Sequence, residues 1–171
     1  MSALSLNEEL LKGNNCFGCG PDNPDGLRIR IFRDDARADR LVGVYAPRAT
    51  AGGFPQIVHG GLQFTALDCM AGWAVFILRA PGKMIPLTKS ATTRFLRPAR
   101  LDSELALSAE IAREAPGPRD PLLIHTELRD PAGALLSEID FEYVILPQER
   151  FMKAVGLNAM PDSYRRHFGE I

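Results

Sequence analysis

Apolar and polar residues alternate with a period of two over several stretches of this chain, and with a helical period over one. Leu27, Ile29 and Ile31 alternate with Arg28 and Arg30, the signature of a strand buried on one face. Residues 41–46 read as its hairpin partner across a polar turn at 34–40. Four further strand-like runs (87–96, 103–114, 122–129 and 134–146) are separated by Arg97-Pro98-Ala99, Pro116-Gly117-Pro118 and Asp130-Pro131-Ala132-Gly133, all of them turn chemistry. Residues 61–79 form the only long helical pattern. Its apolar positions (Leu62, Ala66, Leu67, Met70, Ala71, Ala74, Val75, Leu78) cover more than one face, which predicts a helix buried nearly all round.

The remaining segments are short. Residues 5–12 predict a helix begun by Ser5, with Glu8 at the capping-box position, and 14–26 is a loop dense in Gly, Pro, Asn and Asp. Past residue 147 the pattern predicts short helices at 149–155 and 162–168. Their apolar residues are expected to dock on the body or on a partner. Strand, strand, long buried helix and four successive strands together predict an α+β domain, with one curled antiparallel sheet wrapped around a long central helix. The domain is expected to span 1–146, with 147–171 as a helical tail. A single sheet leaves one face and its edge strands open, so a homodimer or larger assembly is expected.

Composition narrows the function classes. With 171 residues, 46% of them hydrophobic and 24% charged, the chain can bury one real core. Twenty Lys and Arg against twenty-one Asp and Glu leave a net charge of −1, which gives no electrostatic footprint for nucleic acid or an anionic membrane. The most apolar stretch, 60–78, contains Gln63, Thr65 and Asp68, so no membrane span is expected. The first residues lack a basic region followed by an apolar run, and three cysteines do not make a disulfide framework. A reducing cytoplasm is the expected compartment.

Asp68 is the one acid between Asp39 and Asp102, set in the middle of an apolar helix. An ionised carboxylate in such a place must be paired or hydrogen-bonded, and its structural reading is a cap or an ion pair with an arginine such as Arg94. His59-Gly60-Gly61 marks the helix start, where backbone N–H groups have no intrahelical acceptor and glycine lets a ligand approach closely. His59 reads as a residue fixing that turn, while His125 and His167 read as surface residues. Cys16 and Cys19 form Cys-x-x-Cys, but no second pair follows and Cys69 stands alone, so no metal is expected. Phe64, Trp73 and Phe76 read as core residues able to line an apolar pocket.

Ile57-Val58-His59-Gly60-Gly61 followed by Leu67-Asp68 resembles the hotdog-fold acyl-CoA thioesterases of the phenylacetate-thioesterase type. Cys16-Phe17-Gly18-Cys19-Gly20 with Asn23-Pro24-Asp25-Gly26-Leu27, and Phe95-Leu96-Arg97-Pro98-Ala99, are similar to segments of that superfamily. The resemblance spans about 16–146 and implies a thioester held across a dimer interface. By that resemblance the Gly60 N–H polarises the thioester carbonyl, Asp68 of the neighbouring subunit attacks it or activates water, and Thr88 assists. His59, Gly61, Gln56 and Phe64 are expected around the substrate, while Arg94, Arg97 and Arg100 near a strand end read either as contacts for the coenzyme A phosphates or as a solvated charged edge. Coenzyme A belongs to the substrate, and no further cofactor is implied. Many members carry Asn or Gln where this chain has Gly53, and Gln56 is the candidate substitute.

Asp68 can serve as general base or as nucleophile through an anhydride, and the residues do not choose between these routes. Two other readings remain open: a non-catalytic acyl-CoA-binding module, kept by Gly53, and an acyl-thioester dehydratase or hydratase. The absence of histidine inside the helix counts against the latter.

Overall fold

The computed structural model describes residues 4–79, 84–115, 117, 120–162 and 164. Helix α1 (Leu6–Leu10) begins at Ser5, whose backbone N–H and hydroxyl both donate to the Glu8 carboxylate, at 2.8 and 2.6 Å. Strands β1 (Arg30–Asp34) and β2 (Arg37–Tyr45) form the first hairpin. A 3-10 turn and a small hairpin of β3 (Gly52–Phe54) and β4 (Ile57–Val58) occupy what the sequence pattern shows only as loop. Helix α2 (Gly60–Leu78) follows, then β5 (Met84–Phe95), β6 (Leu105–Arg113), β7 (Leu122–Arg129), β8 (Leu135–Pro147) and helix α3 (Gln148–Val155). Of the predicted helix at 162–168, most lies outside the described residues.

The six long strands make one antiparallel sheet in the order β1-β2-β6-β7-β8-β5. Alternate residues of each central strand point inward: Leu105, Leu107 and Ala109 on β6, Leu122, Ile124 and Leu128 on β7, and Ile139, Phe141 and Tyr143 on β8 are all buried. They close on α2, whose Ala66, Leu67, Met70, Ala71, Ala74 and Val75 are buried against them. Leu62, Phe64, Phe76, Ile77 and Leu78 are only half-buried, so the helix is less enclosed within one chain than its pattern predicts. By length and composition α2 could cross a membrane, but here it is the core element of the sheet.

Two buried amides tie the layers together. Asn7 donates to Cys19 O and Ile29 O at 2.7 and 2.9 Å and accepts from the Ile31 N–H at 3.1 Å, fixing α1 and the Cys loop against β1. Gln63 donates to Val58 O and accepts from the Ser137 hydroxyl, both at 3.1 Å, which joins α2 to β4 and β8. The tail docks on the body, where Met152 and Met160 are buried with Ile85.

Candidate active site

Asp68 lies in the middle of α2 on the side facing β5 and β8. Its Oδ1 accepts from the Thr88 hydroxyl at 2.7 Å and from the Tyr143 phenol at 3.1 Å, and the phenol hydrogen is shared with Asp68 O at 3.0 Å. Strand β5 delivers Thr88 next to a register shift, and β8 delivers Tyr143 from the inward-facing row. Gly72, one turn beyond Asp68, leaves room for this approach, since a Cβ there would stand 3.3 Å from the Tyr143 oxygen. Burial, reinforced by the Asp68 charge, pushes the Tyr143 phenol far above its usual range, so it remains a donor. Two donors on one oxygen leave Oδ2 free for chemistry.

This arrangement sits on the wall of a cavity of about 460 Å³. Apart from Asp68, Thr88 and Tyr143 the lining is mostly apolar: Trp73, Phe76, Ile85 and Leu87 from the body, and Phe151, Leu157 and Met160 from the tail. Trp73 and Phe76 meet edge to face with centroids 5.4 Å apart. The shape and chemistry suit an apolar group of modest size with one polar end.

At the start of α2 the His59 Nδ1 accepts from the Gly61 N–H at 2.9 Å, so the imidazole caps the helix. The Gly60 N–H has no acceptor among the described residues and lies next to an exposed Phe95 ring. Gly53 packs directly on His59, where a Cβ would come within 2.8 Å of the ring. An amide side chain at position 53 is therefore excluded by packing. Gln56 sits in the β3–β4 turn at φ 63°, with its side-chain amide oxygen accepting from Arg100 at 3.1 Å. The structure does not bring it to Asp68 within one chain.

Other expected residues fall elsewhere. Arg94 does not pair with Asp68; it pairs with Glu138 at 2.6 Å and Asp140 at 3.2 Å on the outer face of the sheet, because Arg94 and Glu138 are register partners. Arg97 donates to Leu135 O at 2.8 Å. Phe64 packs edge-on against Phe141 with centroids 5.3 Å apart and does not line the cavity of its own chain. His125 is half-buried on the outer face and bonded to Asp140 at 2.7 Å, and His167 lies outside the described residues.

Cys69 is not alone. Its sulfur lies 3.7 Å from that of Cys16, and Cys19 completes a cluster whose three sulfurs are within 4.8 Å of one another on the cavity wall. Hydrogen bonds from the Cys19 and Cys69 thiols pull Cys16 well below the usual thiol range, helped by the Cys19 and Gly18 N–H groups. The Cys16 contact and burial push Cys19 up to about 12 and Cys69 well above its usual range. Tyr143, the Cys69 contact and the tail residues were not singled out for the site by spacing. The one signal for Tyr143 is its place on the inward period of β8, where a phenol needs a polar partner.

Residues 55–114, from the turn before β4 to the end of β6, match the family model of the thioesterase superfamily. Solved structures share the fold. A thioesterase from Haemophilus influenzae superposes with a TM-score of 0.65 at 13% identity, over 76% of this chain and 86% of its own. A hypothetical thioesterase from Streptococcus pneumoniae, crystallised with coenzyme A, gives 0.59 at 18% identity over 70% and 90%. A putative thioesterase of Ralstonia eutropha, a phenylacetic acid degradation-related protein, gives 0.60 at 22% identity over 70% and 86%. The pneumococcal protein has also been crystallised with one aspartate, and with one threonine, replaced by alanine. No curated protein sequence matches the chain. The chain has the hotdog fold, and its β4-to-β6 segment carries the thioesterase superfamily pattern.

Proposed function

We propose that the protein hydrolyses acyl-CoA thioesters, with Asp68 of one protomer and the Gly60 N–H of its partner forming the reacting pair. The observation that carries this reading is the Asp68 carboxylate, held by Thr88 and Tyr143 at the wall of an apolar cavity that an acyl group can fill. Coenzyme A bound to the pneumococcal structure supports the same ligand class here. Water is the only co-reactant, so no further cofactor is required.

Hydrolysis needs a nucleophile at the carbonyl carbon and a donor for the oxygen that becomes negative. The free Asp68 Oδ2 takes a proton from water as the hydroxyl adds to the carbonyl, or adds directly and forms an anhydride that water then opens. The oxyanion is received by the Gly60 N–H, which the helix start leaves without an acceptor. On the first route the carbon–sulfur bond then breaks and the proton held by Asp68 passes to the departing thiolate; on the second the thiolate leaves as the anhydride forms, and the water that opens the anhydride supplies its proton. Eight residues separate Gly60 from Asp68, about 12 Å along the axis, too far for one helix to supply both groups to one bond.

A second protomer resolves that distance. Phe54, Phe95 and Leu96 are 74%, 55% and 49% exposed, with the Phe95 ring against Gly60 at the helix start, and β5 leaves one edge of the sheet open. Apolar side chains beside an unpaired strand edge favour a homodimer, alone or paired into a dimer of dimers. A thiol-release assay over aromatic, short, medium and long acyl-CoA substrates tests the activity. The wild type should turn over at least one class, and Asp68→Asn should still bind it without hydrolysis. No release from any substrate by the wild type would overturn the reading in favour of a binding module. Single turnover in labelled water separates the two routes, because only direct attack places label in Asp68.

A further inference from the structure

The hydrolytic reading makes no use of the three-cysteine cluster, which is built with more care than an apolar wall requires. The loop that carries Cys16 and Cys19 is wound tightly, with the Gly20 N–H donating to Cys16 O at 2.9 Å. A Cβ at Gly18 would collide with the Cys69 sulfur, and one at Gly20 would stand 2.5 Å from the Cys16 backbone. Asn7 pins the loop from behind through Cys19 O. Both glycines and the buried amide thus act to press two sulfurs onto a third from helix α2.

Donors surround these sulfurs. The Trp73 indole N–H donates to Cys19 at 3.3 Å, the Asn14 amide lies 3.9 Å from the same sulfur, and the Cys16 and Cys69 sulfurs face each other at 3.7 Å. Neutral thiols are weak acceptors and need no such company, whereas thiolates bound to a metal are stabilised by N–H groups of this kind. Spacing agrees. Two sulfurs each about 2.3 Å from a tetrahedral zinc are about 3.8 Å apart, and Cys16 and Cys69 stand at 3.7 Å. A disulfide would need about 2.05 Å and an oxidant.

We propose that Cys16, Cys19 and Cys69 form a three-thiolate site for a single thiophilic ion of the zinc class, with its fourth position facing the cavity. Three soft sulfur donors select zinc over magnesium or calcium, which require oxygen ligands. On binding, the thiol protons pass to solvent and three sulfur–zinc bonds form. The ion would clamp the 14–26 loop onto α2 one residue from Asp68 and so fix one wall of the pocket. It leaves the hydrolytic steps to Asp68, and its test does not depend on them.

The reduced full-length protein is stripped with a chelator, titrated with zinc, desalted and analysed for metal. One zinc per chain is expected, with all three thiols protected from a thiol reagent. In parallel, cobalt should give thiolate-to-cobalt charge-transfer absorption. Cys16→Ser and Cys69→Ser should each weaken zinc binding by more than about 100-fold, since loss of outer-shell partners alone costs up to that much. If Cys69→Ser fails to fold, Cys16→Ser and thiol protection in the wild type still decide. A reduced wild type that retains no zinc and gains no thiol protection overturns the proposal. So does a Cys16–Cys69 disulfide in protein isolated without added oxidant, detected by mass spectrometry.

Discussion

The start and the middle of helix α2 are opposite in character. In the middle, Asp68 is fully equipped within one chain, with two hydroxyl donors on one oxygen and an apolar cavity beside it. At the start, Gly60 presents an N–H that has no acceptor among the described residues, close to the exposed Phe95 ring. The middle is finished; the start awaits company. A carboxylate can be oriented by its own core, but a backbone donor meant for a substrate must stay unsatisfied until the substrate arrives. The difference marks the point where a second protomer completes the site in the proposed mechanism.

The largest effects should come from disabling either end. Asp68→Asn keeps the shape and the Thr88 contact but removes the base or nucleophile, and kcat should fall by about 10²–10⁴-fold with little change in ligand affinity. Gly60→Pro removes the N–H at the first helical position, where proline is tolerated. His59 already has the extended backbone that a following proline demands (φ −57°, ψ 132°). Its kcat should fall by about 10²–10³-fold, while the exposed Phe95 ring, 3.3 Å from where the proline Cβ would stand, gives way. If Gly60→Pro instead leaves kcat intact, the helix start takes no part in the reaction and the contrast between the two ends loses its functional meaning.

A smaller effect sharpens the account of the middle. Tyr143→Phe and Thr88→Val each remove one hydrogen bond to the carboxylate, about 1.5–3 kcal/mol, and each should lower kcat/KM by about 10–100-fold. A stability measurement then isolates the scaffold behind the site. Asn7→Ala strands Cys19 O, Ile29 O and the Ile31 N–H, and unfolding by urea should show a loss of about 2–4 kcal/mol.

The smallest effect is acidic. Burial works against the Glu8 carboxylate, but the Ser5 hydrogen bonds and Arg30 outweigh it and hold Glu8 below its usual 4.5. A depressed carboxylate contributes stability above its unfolded value and loses it as pH falls through the folded one. The stability difference between wild type and Glu8→Gln should therefore be present at neutral pH and vanish at pH values below the usual carboxylate range.

How far the chain could be read in advance depended on what each residue needed in order to be recognised. Asp68 stands out because an acid inside an apolar helix must have a reason, and the strand and helix periods are local properties of the chain. Tyr143 is 75 residues from Asp68, and only the β5–β8 register shows that it shares an oxygen with Thr88. Cys69 meets Cys16 because the loop crosses the helix, a tertiary fact with no trace in spacing. Arg94 looks like a free cation until β8 places Glu138 opposite it. Gly53 reads as a missing amide until His59 is seen to occupy the space.

The most direct test of the two-chain site mixes two dead proteins. Asp68→Asn and Gly60→Pro chains, unfolded together and refolded at equal amounts, form mixed dimers in which one site regains both groups. If Asp68 acts with the partner's Gly60, the mixture should recover about a quarter of wild-type activity, since half the dimers are mixed and each has one intact site of two. A mixture as inactive as its components, with mixed dimers present by native mass spectrometry, would contradict the shared site.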